Sequence, residues 1–270
     1  MIKADFHIHT RYCDGQDWPE EIVIAAIDKG LHTIGFSGHS PTCFDTSYAM
    51  SVEGALQYRA DIAALKQKYG KYIHILCGVE QDYYSEQPTD GYDYVIGSVH
   101  YIQVGNAYVT VDESAATLCA AAEQYFAGDM YALLAAYYQL VGDVVHKTGA
   151  DIIGHFDLVS KFNENGQLFD AQDARYIHAV SAAVQSLLPS GSLFEVNTGA
   201  VFRGYRSTPY PAEWILRKIY QGGGSIIFCG DVHDKAALCY DFAPAVQLAK
   251  LCGFTQASLL TSSGRSLIYL

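Results

Sequence analysis

Near the start of the chain, Asp5-Phe6-His7-Ile8-His9-Thr10 sets two imidazoles two residues apart. On a strand, residues i and i+2 face the same way, so His7 and His9 point into one space. Imidazoles placed in this way suit metal ligation or proton transfer. The pair alone decides little, but chemically capable groups recur behind later apolar runs. His39 follows Thr33–Phe36, Glu80 follows Ile73–Val79 and His100 follows Tyr94–Val99. Gly154-His155 follows Asp151–Ile153, and Leu193–Val196 carries Glu195 and ends at Asn197-Thr198. Gly230-Asp231-Val232-His233 follows Ser225–Cys229.

These runs must be brought together by a fold. They are rich in Ile, Val and Phe without strict alternation, as expected of parallel strands buried on both faces. The first is expected over Ile2–Phe6, and a further run, Ala257–Leu260, is expected to cap or close the sheet. Helices are expected between them, over about Pro19–Lys29, Val52–Tyr69, Met130–Lys147, Ala171–Leu188, Ala212–Tyr220 and Lys235–Leu251. Pro19 suits a first helical position, Glu20 and Glu21 suit the positive end of the dipole, and Lys29-Gly30, Gly70 and Gly149 mark stops. Strand–helix alternation over this length predicts an α/β fold, either a barrel or an open doubly wound sheet, and seven or eight units favour the barrel. No repeat, low-complexity tract or linker divides the chain, so residues 1–270 read as a single domain. Ser40–Ser51 is a long polar loop and a candidate lid. In a barrel the C-terminal strand ends form one rim, where active sites are built. Six of the ten histidines, with Glu80 and Asp231, would meet there. Imidazole and carboxylate donors without cysteine suit Zn, Mn or Fe. Eight such groups exceed one tetrahedral site and can hold two or three divalent metals if a carboxylate bridges.

Composition narrows the class. The 270 residues are half hydrophobic, enough for a sizeable core, and carry a formal net charge of −12. That balance argues against nucleic-acid binding, which needs a basic footprint. No apolar run approaches the ~20 residues of a membrane span, and no signal peptide is visible. The seven cysteines are widely spaced without a CxxC pair, which points to reduced thiols and a cytoplasmic setting. Cys13 is expected to be a packed thiol, and His32, His74, His146 and His178 structural.

His7-Ile8-His9, Asp14, His39, Gly78-Val79-Glu80, Gly97-Ser98-Val99-His100, Gly154-His155-Phe156-Asp157 and Asp231-Val232-His233 together resemble the PHP (polymerase and histidinol phosphatase) superfamily. The motifs stand in the family's order over nearly the whole chain. Asp151–Asn163 and Phe194–Pro211 resemble its histidinol-phosphate phosphatases. The resemblance implies a distorted (β/α)7 TIM-like barrel (the PHP fold) with a trinuclear metal centre. It assigns His7, His9, Glu80 and Asp231 to a first metal, Glu80, His100 and His155 to a second, and His39, His233 and Asp14 to a third. Some members carry histidine at the place of Asp14, and Asp14-Gly15 is also a turn signal.

The implied activity is hydrolysis of a phosphate monoester, L-histidinol phosphate, as a step of histidine biosynthesis. Such esters hydrolyse very slowly without catalysis, so strong electrostatic stabilisation is needed. A hydroxide shared by two metals would be the nucleophile, Glu80 the bridge, and Asp231 or His233 the proton donor to the leaving alcohol. Arg203, Arg206 and Lys161 are candidate phosphate clamps. Glu113, Asp157 and Glu195 are candidates for the cationic end of the substrate, and Glu195, inside its strand, is equally a candidate for a place behind the ligands or for ligation. Three alternatives stand beside this reading: another small phosphate ester or nucleotide, a metal-dependent amidohydrolase, and a non-catalytic metal-storing barrel. Amidohydrolases usually bridge their metals with a lysine, where this chain has Glu80.

Overall fold

The structure, a computed structural model, describes residues 2–262 and 264–270. Seven parallel strands form one sheet: β1 (Ala4–Asp5), β2 (Thr33–Phe36), β3 (His74–Asp82), β4 (Tyr94–Ser98), β7 (Ile152–Ile153), β8 (Leu193–Asn197) and β9 (Ser225–Cys229). They lie side by side in that order. Beyond the ends of β1 and β9, a parallel bridge joins Ile8 to Val232. His9 N–H donates to the Val232 carbonyl at 2.8 Å, and Val232 N–H to the His7 carbonyl at 2.8 Å. The sheet therefore curls into a nearly closed, distorted (β/α)7 barrel, and its seam lies at the His7–His9 stretch.

The intervening helices are α1 (Pro19–Asp28), α2 (Val52–Tyr69), α3 (Ala115–Tyr125), α4 (Met130–Thr148), α5 (Ala174–Leu187), α6 (Gly199–Phe202), α7 (Glu213–Gln221) and α8 (Phe242–Leu251). Local chemistry sets their ends. The Glu21 carboxylate accepts Trp18 N–H ahead of α1, Ser51 caps α2 through Gly54 N–H, and Asp129 caps α4 through Tyr131 N–H. Gly149 closes α4 in the left-handed region at φ 69°. α5 begins three residues later than the sequence suggests, because Asp173 caps it through Arg175 N–H.

One expectation needs correction and another is met only in part. Lys235–Leu251 is not one helix: Lys235–Ala237 is a short 3-10 turn, and α8 starts only at Phe242. Cys239 and Asp241 between them adopt positive φ, and Cys239 N–H is taken by the Asp5 carboxylate at 2.9 Å. Ala257–Leu260 does not pair with the barrel strands. It belongs to β10 (Gln256–Thr261), which pairs antiparallel with β11 (Gly264–Tyr269), and Leu260 packs into the apolar cluster formed by the strands. The β4-to-β7 connection also holds a hairpin, β5 (Tyr101–Val104) and β6 (Ala107–Thr110), that the sequence reading missed along with α3.

The barrel interior is organised around Tyr94. Its hydroxyl reaches the carbonyls of Phe6 at 2.5 Å and Phe36 at 3.0 Å, tying β1 and β2 to β4. A Cβ at Gly35 or Gly78 would overlap the Tyr94 ring, so both glycines are the space the tyrosine fills. Gly78→Ala is therefore expected to destabilise the fold by about 1–3 kcal/mol, seen as a lower urea midpoint with unchanged slope.

Candidate active site

The strands deliver their side chains to one cavity of about 630 Å³, lined among others by Asp14, His39, Glu80, His100, His155 and Asp231. At its floor stands Glu80, in the buried length of β3. Its Oε2 lies 3.2 Å from His7 Nε2, 3.5 Å from His9 Nε2 and 2.9 Å from His39 Nδ1. Its Oε1 lies 3.3 Å from His100 Nε2 and 2.9 Å from His155 Nε2, and accepts the Ser98 hydroxyl at 2.6 Å. One carboxylate thus turns an oxygen toward each of two groups of imidazoles. Asp231 Oδ1 completes the first group, 3.4 Å from His9 Nε2 and 3.8 Å from His7 Nε2.

Asp14 gathers a third group on the open side. Its oxygens lie 3.1 Å from His233 Nε2, 3.7 Å from His39 Nε2 and 3.6 Å from His9 Nδ1. His9 and His39 therefore each present one ring nitrogen to Asp14 and the other to Glu80. Among the described residues the donors fall into four overlapping sets: His9-Asp14-His39-His233, His7-Glu80-His155, His7-His9-Asp231 and His39-Glu80-His100. Within each set all donor atoms lie within 4.8 Å of one another.

The orientation of these groups favours metal cations. His7 Nδ1 is 2.6 Å from Glu195 Oε1, so Nδ1–H donates there and leaves the Nε2 lone pair facing Glu80 and Asp231. With His7 neutral, as a metal ligand must be, acceptor then faces acceptor, and His7 Nε2, His9 Nε2, His39 Nδ1 and Glu80 Oε2 are all buried without a hydrogen-bond partner among the described residues. A cation between them removes that conflict. The donor set, imidazole and carboxylate without thiolate, fits divalent transition metals.

The charges agree. Burial opposes ionisation of Glu80, but His39, His7 and His100 outweigh it and hold the carboxyl well below the usual range. Asp231 resists burial in the same way, held ionised by Arg203 and His7. Burial disfavours a proton on His7, yet Glu195, Glu80 and Asp231 raise it well above the ordinary imidazole value. His100 is raised against burial by Glu80 and Asp82. His9 is pushed down to about 3 by burial, with His233 and His39 adding to it, so it stays neutral.

Two carboxylates hold the donors from behind. Glu195 binds His7 Nδ1 and takes His155 N–H at 2.6 Å, and Asp82 Oδ2 lies 3.1 Å from His100 Nδ1. Fixing the far nitrogen in this way sets the tautomer and aims the near one. The sequence reading left Glu195 open between substrate contact, support behind the ligands and ligation; it is fully buried and outside the cavity wall, behind His7 and His155. It passed over Asp82, although Asp82 sits two residues after Glu80 and so shares its face of β3.

The expected phosphate clamps separate. Arg203 lines the cavity, with NH2 2.9 Å from Asp231 Oδ2 and NH1 3.0 Å from the Asp231 carbonyl. Lys161 also lines it, its Nζ 2.8 Å from the Asp112 carbonyl. Arg206 is a correction. Gly204, at φ 73°, turns the chain inward after α6, and Arg206 becomes buried. Its NH1 donates to Ser160 Oγ at 2.6 Å and its guanidinium lies over the Tyr210 ring, away from the cavity. Asp157 is buried beside it, whereas Glu113 does border the cavity. Cys13 Sγ lies 3.6 Å from His9 Nδ1, and burial pushes the thiol up to about 12, as suits a packed thiol.

A family model described as "PHP domain" matches residues 5–199. The chain belongs to the PHP family. The matched segment stops before Asp231 and His233, and the barrel brings both to the rim shared by the matched residues. Two curated relatives carry the name "Probable histidinol-phosphatase". The one from Deinococcus radiodurans is 29% identical over 255 residues, covering 90% of this chain and 91% of the relative. The one from Schizosaccharomyces pombe is 24% identical over 282 residues, covering 94% and 88%. A solved histidinol phosphate phosphatase from Lactococcus lactis, complexed with zinc, L-histidinol and phosphate, shares the fold at a TM-score of 0.70, with 20% identity and 98% of each chain covered.

Two outcomes are expected. Glu195→Gln removes the negative charge behind the His7 ring and should weaken metal binding about 10–100-fold in chelator competition. His7 and His100, raised well above the ordinary imidazole value, hold protons that a metal must displace. Metal binding should therefore release protons, and apparent affinity should rise with pH between 6 and 8, as calorimetry in buffers of different ionisation enthalpy would read.

Proposed function

We propose that this PHP protein is a metal-dependent phosphomonoesterase that hydrolyses L-histidinol phosphate to L-histidinol and phosphate. The observation that carries the reading is Glu80, whose two oxygens face two groups of buried imidazoles beside Asp231 and Arg203 in one cavity. The names of the two curated relatives and the ligands of the Lactococcus lactis structure support the choice of substrate. Residues 1–270 act as one unit in this reading, and a cytoplasmic setting suits a chain whose seven cysteines are all free. Among the described residues no helix is long and apolar enough to cross a membrane.

In this reading His7, His9, Glu80 and Asp231 would hold one metal, Glu80, His100 and His155 a second, and His39, His233 and Asp14 a third. Divalent metals there would lower the pKa of water towards ~7 and neutralise charge on the phosphoryl group. The protein's own groups do the rest. Arg203 sits beside Asp231 on the cavity wall, where its guanidinium meets phosphoryl oxygens, and Lys161 adds a point charge. The attacking water gives up a proton and the departing alcohol oxygen takes one, and Asp231 or His233, whose Nδ1 lies 3.4 Å from Asp231 Oδ1, would carry it. The cationic amino and imidazole groups of the substrate face Asp45, Glu113, Tyr101 and Tyr108, which form an acidic and aromatic wall.

The test is phosphate release from histidinol phosphate beside AMP and an aryl phosphate, with metal content measured on the same sample. A kcat/KM for histidinol phosphate at least tenfold above the others is expected, and parity with the aryl phosphate overturns the substrate assignment. Asp231→Ala should lower kcat by about 10²–10⁴-fold. Unchanged activity at full metal content would remove Asp231 from proton transfer.

A further inference from the structure

We propose that Tyr48 contacts the substrate, its hydroxyl donating a hydrogen bond to a non-bridging oxygen of the phosphoryl group. This rests on the phosphomonoesterase reading above. Tyr48 stands on the irregular segment 40–51 and lines the cavity. Its ring meets the His39 ring edge-on at 4.8 Å and lies 6.1 Å from that of His100. It therefore overhangs imidazoles that face both oxygens of Glu80.

Its hydroxyl is buried and has no hydrogen-bond partner among the described residues. A buried hydroxyl left this way carries an uncompensated desolvation cost, which an acceptor entering the cavity would relieve. The nearby polar groups are largely committed to one another, and only the neutral Thr42 and Tyr101 hydroxyls keep lone pairs within reach of Tyr48. Asp45 Oδ2 takes the Tyr101 hydroxyl at 2.6 Å, and Asp45 Oδ1 takes Ser47 Oγ–H at 2.6 Å. Asp82 Oδ1 takes Tyr84 N–H at 2.8 Å, and its Oδ2 faces His100. The Thr42 hydroxyl donates to the Asp45 carbonyl. A phosphoryl oxygen entering the cavity would offer the Tyr48 hydroxyl a charged acceptor, stronger than these neutral hydroxyls. Phosphoryl oxygens are acceptors only, while the amino and imidazolium groups of the alcohol offer N–H donors, so the phosphoryl end is the match.

The position of Tyr48 is also fixed in advance. Phe44 stacks on Tyr108 with centroids 3.9 Å apart and planes 7° from parallel, and Asp45 is tied to Tyr101. Met50 N–H donates to the His39 carbonyl at 3.1 Å, and Ser85 Oγ–H to the Pro41 carbonyl at 2.7 Å. A donor held in place before the charge arrives is worth most in the transition state.

Tyr48→Phe keeps the ring over His39 and deletes the hydroxyl. In the metal-loaded protein, kcat/KM is expected to fall about 10- to 100-fold for histidinol phosphate and by a similar factor for an aryl phosphate. Inorganic phosphate should inhibit correspondingly more weakly, with metal content unchanged. A loss confined to histidinol phosphate would place the hydroxyl on the alcohol and overturn the proposal. Loss of metal, or no change on any ester, would overturn it as well. If the wild-type protein prefers the aryl phosphate, the substrate assignment fails, while a shared loss in Tyr48→Phe still supports this contact. A wild-type protein that hydrolyses no ester and binds no phosphate would end both.

Discussion

The structure turns on one buried carboxylate. Glu80 is surrounded by five imidazoles, and its charge is kept only because they surround it. Taken out of water alone, a carboxylate would sooner bind a proton than stay charged. Here every donor that stabilises Glu80 is itself placed by another strand, and two further carboxylates, Glu195 and Asp82, hold the backs of His7 and His100. The site is a shell of alternating charge, with carboxylates behind and between imidazoles. Such a shell loses its internal consistency if one layer is removed.

The barrel makes this arrangement affordable. Seven parallel strands end at one rim, so a short donor sequence after each strand suffices to bring groups from across the chain within a few ångströms. Tyr94 and the missing side chains of Gly35 and Gly78 set the interior spacing of β1 to β4 beneath that rim. Asp5, just below His7, accepts the N–H groups of Gly230 and Cys239, which locks the loop carrying Asp231 to the first strand. Asp231 adopts φ 48° there, a left-handed conformation that aspartate tolerates better than most residues.

Much of this was legible in the sequence. The donors follow apolar runs, and parallel strands need no partner pattern to be recognised, so His7, His9, His39, Glu80, His100, His155, Asp231 and His233 could be brought to one rim on strand direction alone. What escaped notice depends on direction after a strand has ended. Arg203 and Arg206 read alike in the sequence, yet one turn of α6 and the bend at Gly204 send the first into the cavity and the second into the core. The β5–β6 hairpin is built from short Tyr-, Val- and Thr-containing runs around Gly105-Asn106, a turn signal too brief to stand out in a long connection. Tyr48 lay in a segment without periodicity, and only the structure shows where its ring goes.

The seam of the barrel carries a consequence for how the protein comes into being. Asp5 and Gly230, 225 residues apart, meet across it, and His7 and His9 share their donor group with Asp231 from the far side. A chain emerging from the ribosome offers its first two ligands long before their partners exist. The early strands can stack, but the ring stays open until β9 is made. The donor group of His7, His9 and Asp231 is thereby completed only once β9 is made, whereas Glu80, His100 and His155 all precede it in the chain.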